Sequence, residues 1–306
     1  MNNTLICIVG PTAIGKTKLA LQIAQHLGTE ILSADSRQFY KEMCIGTAVP
    51  STEELNSVPH HFIQHRSIFD DYAVGDFERD ALIQLETLFK QHRTAILVGG
   101  SGLYIDAVTK GLDHFPKVPK DIRKGLNDIF ERQGIISLQE QLKALDPEYY
   151  KIVDLNNPHR LIRALEICLG TQQPYSHFLN KPKTQRSFNL ITLGLYADRT
   201  LLYDRINQRV DTMMQMGLLA EAIALHEHSH LNALQTVGYR ELFAYLDGTW
   251  ELPTAIAEIK KNTRRFAKRQ ITWFKRNPDT HWVPWDYDID GILERLDGLL
   301  QNKKYD

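Results

Sequence analysis

Residues 10–17, Gly-Pro-Thr-Ala-Ile-Gly-Lys-Thr, match the pattern G-x-x-x-x-G-K-[ST] at every fixed position. That pattern binds phosphate. Its glycines let backbone N–H groups turn inward around phosphate oxygens, and the helix that follows adds its positive end. Gly10, Pro11, Thr12, Ala13, Ile14, Gly15, Lys16 and Thr17 are therefore candidates for holding a di- or triphosphate. Lys16 supplies a cation, and the Thr17 hydroxyl can ligate Mg²⁺. The motif does not say which phosphate compound binds. A GTPase would add an N-K-x-D motif to read its base, and none is present. A remodelling ATPase would show an apolar strand ending in acids, but AILV (95–98) ends in Gly99-Gly100. A kinase of a nucleotide or small metabolite fits these features.

A second candidate lies in ILSADSRQFY, where Asp35 follows an apolar run. In a parallel α/β sheet the carboxyl ends of the strands form the ligand edge. An Asp there can hold Mg²⁺ or accept a proton from substrate; it can also do no more than cap its own turn. Ser36, Arg37 and Gln38 add donors and acceptors suited to a base edge.

These residues need elements to position them. Residues 4–9, 30–34 and 95–98 are short apolar runs that read as buried strands. Residues 16–27 carry apolar positions at helical spacing, Gly28 ends that helix, and 76–92 is helical in pattern. Strand–helix–strand order with apolar strands implies a parallel sheet flanked by helices. From 114 to 183 the pattern changes: Pro116 and Pro119 break the chain, and 120–133, 137–145 and 157–170 read as helices with no strand between them. Residues 188–196 return to strand character, and 281–285 read as a last strand. The expected fold is α/β: a P-loop core from 1–113 and 184–306, with a helical insertion domain over 114–183.

The 306 residues are 43% hydrophobic and 24% charged, enough for a packed core and too apolar for a disordered chain. No 18-residue apolar run and no signal-type N-terminus occur, so the chain reads as cytoplasmic, with no membrane contact. Cys7, Cys44 and Cys168 are too few and too scattered for a disulfide framework. Histidines at 59–65 and 226–230 lack metal-ligand spacing and read as structural or solvent-facing.

Charge is less simple. Lys and Arg total 36 against 37 Asp and Glu, and a net charge of −1 argues against a nucleic-acid partner. The sum hides its distribution. Residues 259–277 hold eight basic residues and no acid, which leaves −9 for the rest of the chain. They include Lys260, Lys261, Arg264, Arg265, Lys268 and Arg269, which form two adjacent rows on one side of a helix. With no acid in the run to offset repulsion, this face suits RNA phosphates.

GPTAIGKT, DSRQFY, IGTAVP (45–50), PHHFI (59–63), GGSGLYIDAV (99–108), NPHRLIRALE (157–166), QTVGYREL (235–242) and TRRFAKRQITWFKR (263–276) occur in this order. In these motifs, over residues 4–285, the chain resembles the tRNA dimethylallyltransferases, also called tRNA isopentenyltransferases. Two positions depart from the pattern: Val49 stands where many members have Lys, and Gln64 where an acid is common.

The resemblance implies transfer of a dimethylallyl group from dimethylallyl diphosphate to N6 of adenosine 37, in tRNAs reading codons that begin with U. It implies that the loop takes an isoprenoid diphosphate, that Mg²⁺ is required, and that the insertion clamps the tRNA anticodon stem-loop. A monomer without an obligate protein partner is expected. An exocyclic adenine amine is a poor nucleophile, so alkylation needs a base for its proton and stabilisation of the leaving group. Asp35 can serve as the base and Lys16 as one stabiliser. The resemblance adds Thr12 near the bridging oxygen and an arginine on the diphosphate, Arg209 by motif position with Arg205 as the alternative. It places Asp35, Ser36, Arg37, Gln38, Ser101, Arg123, His159, Arg160, Leu161, Ile162, Arg163, Gly238, Tyr239 and Arg240 at the tRNA, beside the basic helix residues Arg264, Arg265, Lys268 and Arg269.

Overall fold

The first strand, β1 (Asn3–Val9), is apolar on both sides, and the pleat divides its side chains between two cores. Leu5, Cys7 and Val9 pack into one; Ile6 and Ile8 pack into the other. A strand buried on both faces is the signature of a parallel sheet covered by helices. The computed structural model, which describes residues 3–181 and 185–302, has this arrangement.

Five strands join β1 in one all-parallel sheet of order β3-β2-β4-β1-β5-β6. They are β2 (Ile31–Ser33), β3 (His60–His61), β4 (Thr94–Gly99), β5 (Phe188–Tyr196) and β6 (Thr280–Pro284) beside β1 itself. The helices that cover the sheet begin with α1 (Lys16–Leu27), α2 (Thr52–Ser57), α3 (Val74–Leu88) and α4 (Gly102–Lys110). The expected strands at 30–34, 95–98, 188–196 and 281–285 all form, within a residue or two at each end. The two-residue β3, inside the PHHFI motif, is too short to leave an alternating pattern and went unread.

Packing divides the chain into two units. Residues through Lys110 and those from Gln185 onward form the sheet unit. The second unit starts at Gly111; the expected joint at 183/184 lies outside the described residues. This unit is wholly helical among its described residues: α5 (Lys120–Gln133), α6 (Ile135–Leu145), α7 (Pro147–Tyr150) and α8 (Pro158–Thr171), with one short 3₁₀ turn. Its core is built from Leu126, Leu138, Leu142, Leu161, Ile162 and Leu165. Helix α8 starts on Asn157, whose side chain accepts from the Arg160 N–H, with Pro158 at the first helical position.

After β5 the sheet unit continues with α9 (Arg199–Gln215), α10 (Leu218–Leu225), α11 (Tyr239–Leu246), α12 (Leu252–Phe274) and, after β6, α13 (Ile289–Asn302). No helix among the described residues is long and apolar enough to cross a membrane. Because all strands run the same way, the residues following β1, β2 and β4 emerge at one edge of the sheet. That edge carries Gly10, Asp35 and Gly100.

Candidate active site

The loop between β1 and α1 is shaped by backbone conformation. Gly15 caps α1 at φ 105°, in the left-handed region open to glycine, and Ala13 reaches φ 63°. Ile14 is buried in the sheet's core, so it offers only its backbone to a ligand. Thr17 is half-buried in the first turn of α1. The Lys16 ammonium donates to the Pro11 carbonyl oxygen at 2.8 Å.

Three charges meet here. Burial lowers Lys16 to about 8; the nearby Asp35 charge raises it in part, and Arg209 lowers it further. Burial also lowers Arg209, again against the pull of Asp35. Two desolvated cations face one carboxylate, a local excess of positive charge that favours an anionic ligand. Arg205 is engaged elsewhere: its Nε donates to the Ala13 carbonyl at 2.8 Å and its guanidinium lies 4.9 Å over the Trp285 ring.

Asp35 does cap its own turn, since its Oδ1 accepts from the Arg37 N–H at 3.1 Å. It also lines a cavity of about 440 Å³, together with Thr12, Ser101 and Arg209. The two readings of Asp35 are compatible, because a carboxylate has several acceptor sites. One wall of the cavity is apolar: Val210 and Met213 from α9, Leu218 from α10, Val237, and Ile259 from α12. The space thus joins a cationic end to a hydrocarbon-compatible wall, with a carboxylate beside both.

Helix α12 borders the cavity with Ile259, Thr263, Phe266, Gln270 and Trp273, a stripe spaced by three and four residues. Gln270 is buried and clamps two loops: its Oε1 accepts from the Thr12 N–H at 2.8 Å and its Nε2 donates to the Gly100 carbonyl at 2.9 Å. The Trp273 indole N–H donates to Asp106 Oδ2 at 2.9 Å. The glycines of GGSG serve this closeness. A Cβ on Gly100 would lie 2.2 Å from Gln270 Nε2, and one on Gly102 would lie 2.4 Å from Trp273 Cδ1. Sequence reading missed Gln270 and Trp273 because the dense basic residues drew attention to the opposite side of the helix. The three-and-four spacing was the available signal.

The basic helix is less bare than its sequence suggests. Lys260 pairs with Asp211 at 2.6 Å and Lys261 with Glu258, one residue ahead of the acid-free run. Arg264 donates to Asn207 Oδ1 at 2.7 Å. Arg265, Lys268, Arg269, Lys275 and Arg276 remain exposed, and Arg269 reaches the cavity rim.

Other residues expected at a tRNA divide into available and unavailable. Ser101 Oγ lies 3.2 Å from both the N–H and the Oγ of Ser36. Gly238 lines the cavity, and Arg240 is exposed. Arg37 lines the cavity too, but its Nη1 donates to the Asn232 and Ala233 carbonyls. Gln38 is consumed inside the fold, with its amide on Thr47, Ala48 and Ser33, so its side chain reads no base. Tyr239 is fully buried and donates to Glu221. In the helical unit, His159 and Arg160 are exposed, while Arg123 and Arg163 both pair with Glu166 at 3.0 and 3.2 Å. Leu161 and Ile162 are core residues of that unit, 0% and 3% exposed. They hold α8 in place, and their side chains have no surface to offer RNA.

Comparison with known proteins places this arrangement. A family model described as IPP transferase matches residues 38–277. The tRNA dimethylallyltransferase of Christiangramia forsetii is 58% identical over 300 residues, covering 98% of this chain and 99% of that protein. The crystal structure of the full-length tRNA isopentenylpyrophosphate transferase of Bacillus halodurans superposes with a TM-score of 0.72 at 36% identity, over 98% of this chain and 96% of the other. A eukaryotic dimethylallyltransferase acting on tRNA gives a TM-score of 0.78 at 26% identity, over 92% and 74% of the two chains. The matched relatives cover almost the whole chain, and the chain belongs to the IPP transferase family.

Proposed function

We propose that this protein transfers a dimethylallyl group from dimethylallyl diphosphate to N6 of adenosine 37, giving N6-isopentenyladenosine in tRNAs that read codons beginning with U. The observation that carries this reading is the cavity. Its cationic end suits a diphosphate and its apolar wall suits a hydrocarbon.

The diphosphate lies against the α1 loop, with Lys16 and Arg209 as its cationic partners and Thr12 near the bridging oxygen. As the N6–C1 bond forms, the C1–O bond breaks. The N6 proton passes to Asp35, and diphosphate leaves toward the two cations and the loop amides. The hydroxyl of Thr17, half-buried in the first turn of α1, suits Mg²⁺, a hard cation that takes oxygen ligands. Thr17 would hold the ion, which would supply positive charge for a departing diphosphate. The protein works as a cytoplasmic monomer, with tRNA and the isoprenoid diphosphate as its partners and no obligate protein partner.

The acceptor base must leave the anticodon-loop stack to enter the cavity, which costs a few kcal/mol. Contacts to phosphates offset that cost. They come from the exposed row Arg265, Lys268 and Arg269, from Arg264, and from the helical unit through the exposed His159 and Arg160, with Arg123 and Arg163 turning to phosphate from the Glu166 carboxylate they share. Charge reversal at Lys268 and Arg269 to Glu is expected to weaken tRNA binding and to lower the slope of log Kd against log salt by about one to two. Filter binding across salt concentrations measures this, and an unchanged slope would place the RNA elsewhere.

The direct test combines protein, labelled dimethylallyl diphosphate, Mg²⁺ and unmodified tRNA carrying A36-A37, followed by nucleoside analysis. Label in N6-isopentenyladenosine is the expected result. Absence of transfer by folded protein overturns the reading, and phosphate transfer from ATP to a small acceptor would replace it with a kinase.

A further inference from the structure

The motif around 45–50 and the segment 235–242 contribute cavity wall but no reacting group to the transfer above, and one carboxylate binds them together. Glu221, on α10, accepts through Oε2 from the N–H groups of Cys44 at 3.0 Å and Ile45 at 2.8 Å. Its Oε1 accepts from the Gly46 N–H at 2.9 Å and the Tyr239 hydroxyl at 2.6 Å. A carboxylate has about four lone-pair sites, and here each is filled. The Tyr239 ring packs so closely on Gly46 that a Cβ there would lie 2.6 Å from it.

The same loop is held from its other side. Gln38 Nε2 donates to the carbonyls of Thr47 at 3.3 Å and Ala48 at 2.9 Å. Gln38 Oε1 accepts from Ser33 Oγ at 3.1 Å, and Ser33 Oγ accepts from the Asp35 N–H at 3.3 Å. A continuous series of hydrogen bonds therefore runs from Glu221, through the loop, to the backbone of Asp35. Gly46, Thr47 and Asp35 all line the cavity. Ala48 sits at φ 48°, a left-handed conformation that alanine rarely adopts, so the loop needs both clasps to keep this path.

We propose that Glu221 is a positioning residue: it anchors the 44–48 loop and, through Gln38 and Ser33, sets where Asp35 stands relative to the acceptor amine. The proposal rests on the transfer reaction described above. The diphosphate end is held separately, by the Gln270 bonds to Thr12 and Gly100. Loss of the clasp should therefore disturb proton removal and leave donor binding alone.

The test uses Glu221→Gln, which keeps the size but has one acceptor oxygen and turns an amide NH₂ toward N–H donors. Its kcat should fall about 10–100-fold, because small misplacements of a catalytic group are costly. Its Kd for dimethylallyl diphosphate should stay within about twofold, since Lys16 and Arg209 are untouched. Backbone amide exchange should quicken over residues 35–48 and stay unchanged in α1 and β4. Tyr239→Phe removes one of the four bonds and should shift the same readouts less; it carries the test if the Gln variant does not fold. Unchanged exchange over 35–48 in the variants overturns the clasp. So does a donor Kd that worsens in step with kcat. Exchange needs no activity, so the two failures separate: a wild-type protein that transfers nothing refutes the reaction, and unchanged exchange refutes the clasp.

Discussion

Asp35→Asn is expected to slow transfer about 10²–10⁴-fold while tRNA affinity stays within about twofold. Asn keeps an oxygen for the Arg37 N–H, so the turn after β2 survives. What it lacks is the negative charge that takes the N6 proton as the new bond forms. The measurement is a single-turnover rate with tRNA and donor both saturating, beside a direct tRNA Kd. Near wild-type turnover would show that Asp35 is not the base. One secondary effect follows from the electrostatics. Asp35 raises the pKa of Lys16, so its neutralisation should move Lys16 further below about 8. The variant should be compared well below that pH, where Lys16 is charged in both proteins.

Lys16→Met is expected to cost about 10²–10³-fold in transfer, because it removes a cation aimed at charge that develops on the departing diphosphate. It should also change the pH dependence of donor binding. Burial holds the Lys16 pKa at about 8 without ligand. A bound diphosphate favours the charged form, so binding above that pH must take up a proton. Donor affinity in the wild type should be flat below about pH 7 and fall by up to about tenfold per pH unit above 8. In the Met variant that fall should vanish. Calorimetric titration of dimethylallyl diphosphate between about pH 7 and about 9.5 measures both, with buffers of different ionisation enthalpy reporting the proton uptake. A wild-type affinity that stays level through pH 8 and above would remove Lys16 from the diphosphate site.

These predictions concern residues that local pattern made visible. A phosphate loop needs its backbone amides in succession, so its chemistry is written contiguously in residues 10–17. Asp35 was legible because it follows an apolar strand whose parallel neighbours share one ligand edge. Tyr239, Leu161 and Ile162 show the opposite case. They lie in motifs shared with the family, but motif membership does not separate a residue that touches RNA from one that supports its neighbours. Burial makes that distinction, and burial depends on helices packing in three dimensions. Gln38 sits three residues from Asp35 in a polar run and looked like a base reader, yet its amide is matched to carbonyls ten residues away.

The sequence by itself determined the glycine-rich turn between β1 and α1, the parallel character of the sheet, the helical stretch between β4 and β5 and the concentration of positive charge near 259–277. Each is encoded by residues close together in the chain, through apolar period, turn chemistry or local charge. Only the tertiary structure decided which arginine stands in the cavity, because Arg205 and Arg209 lie one helical turn apart on α9 and differ in what they meet. It also decided that the basic helix presents Gln270 to the phosphate loop, and that Glu221 clasps a loop more than 170 residues earlier. Those contacts join segments distant in sequence, and their geometry exists only after the sheet and its helices have packed. The near-neutral net charge shows the limit of a sum: it averages away an asymmetry that residues 259–277 carry on one helix.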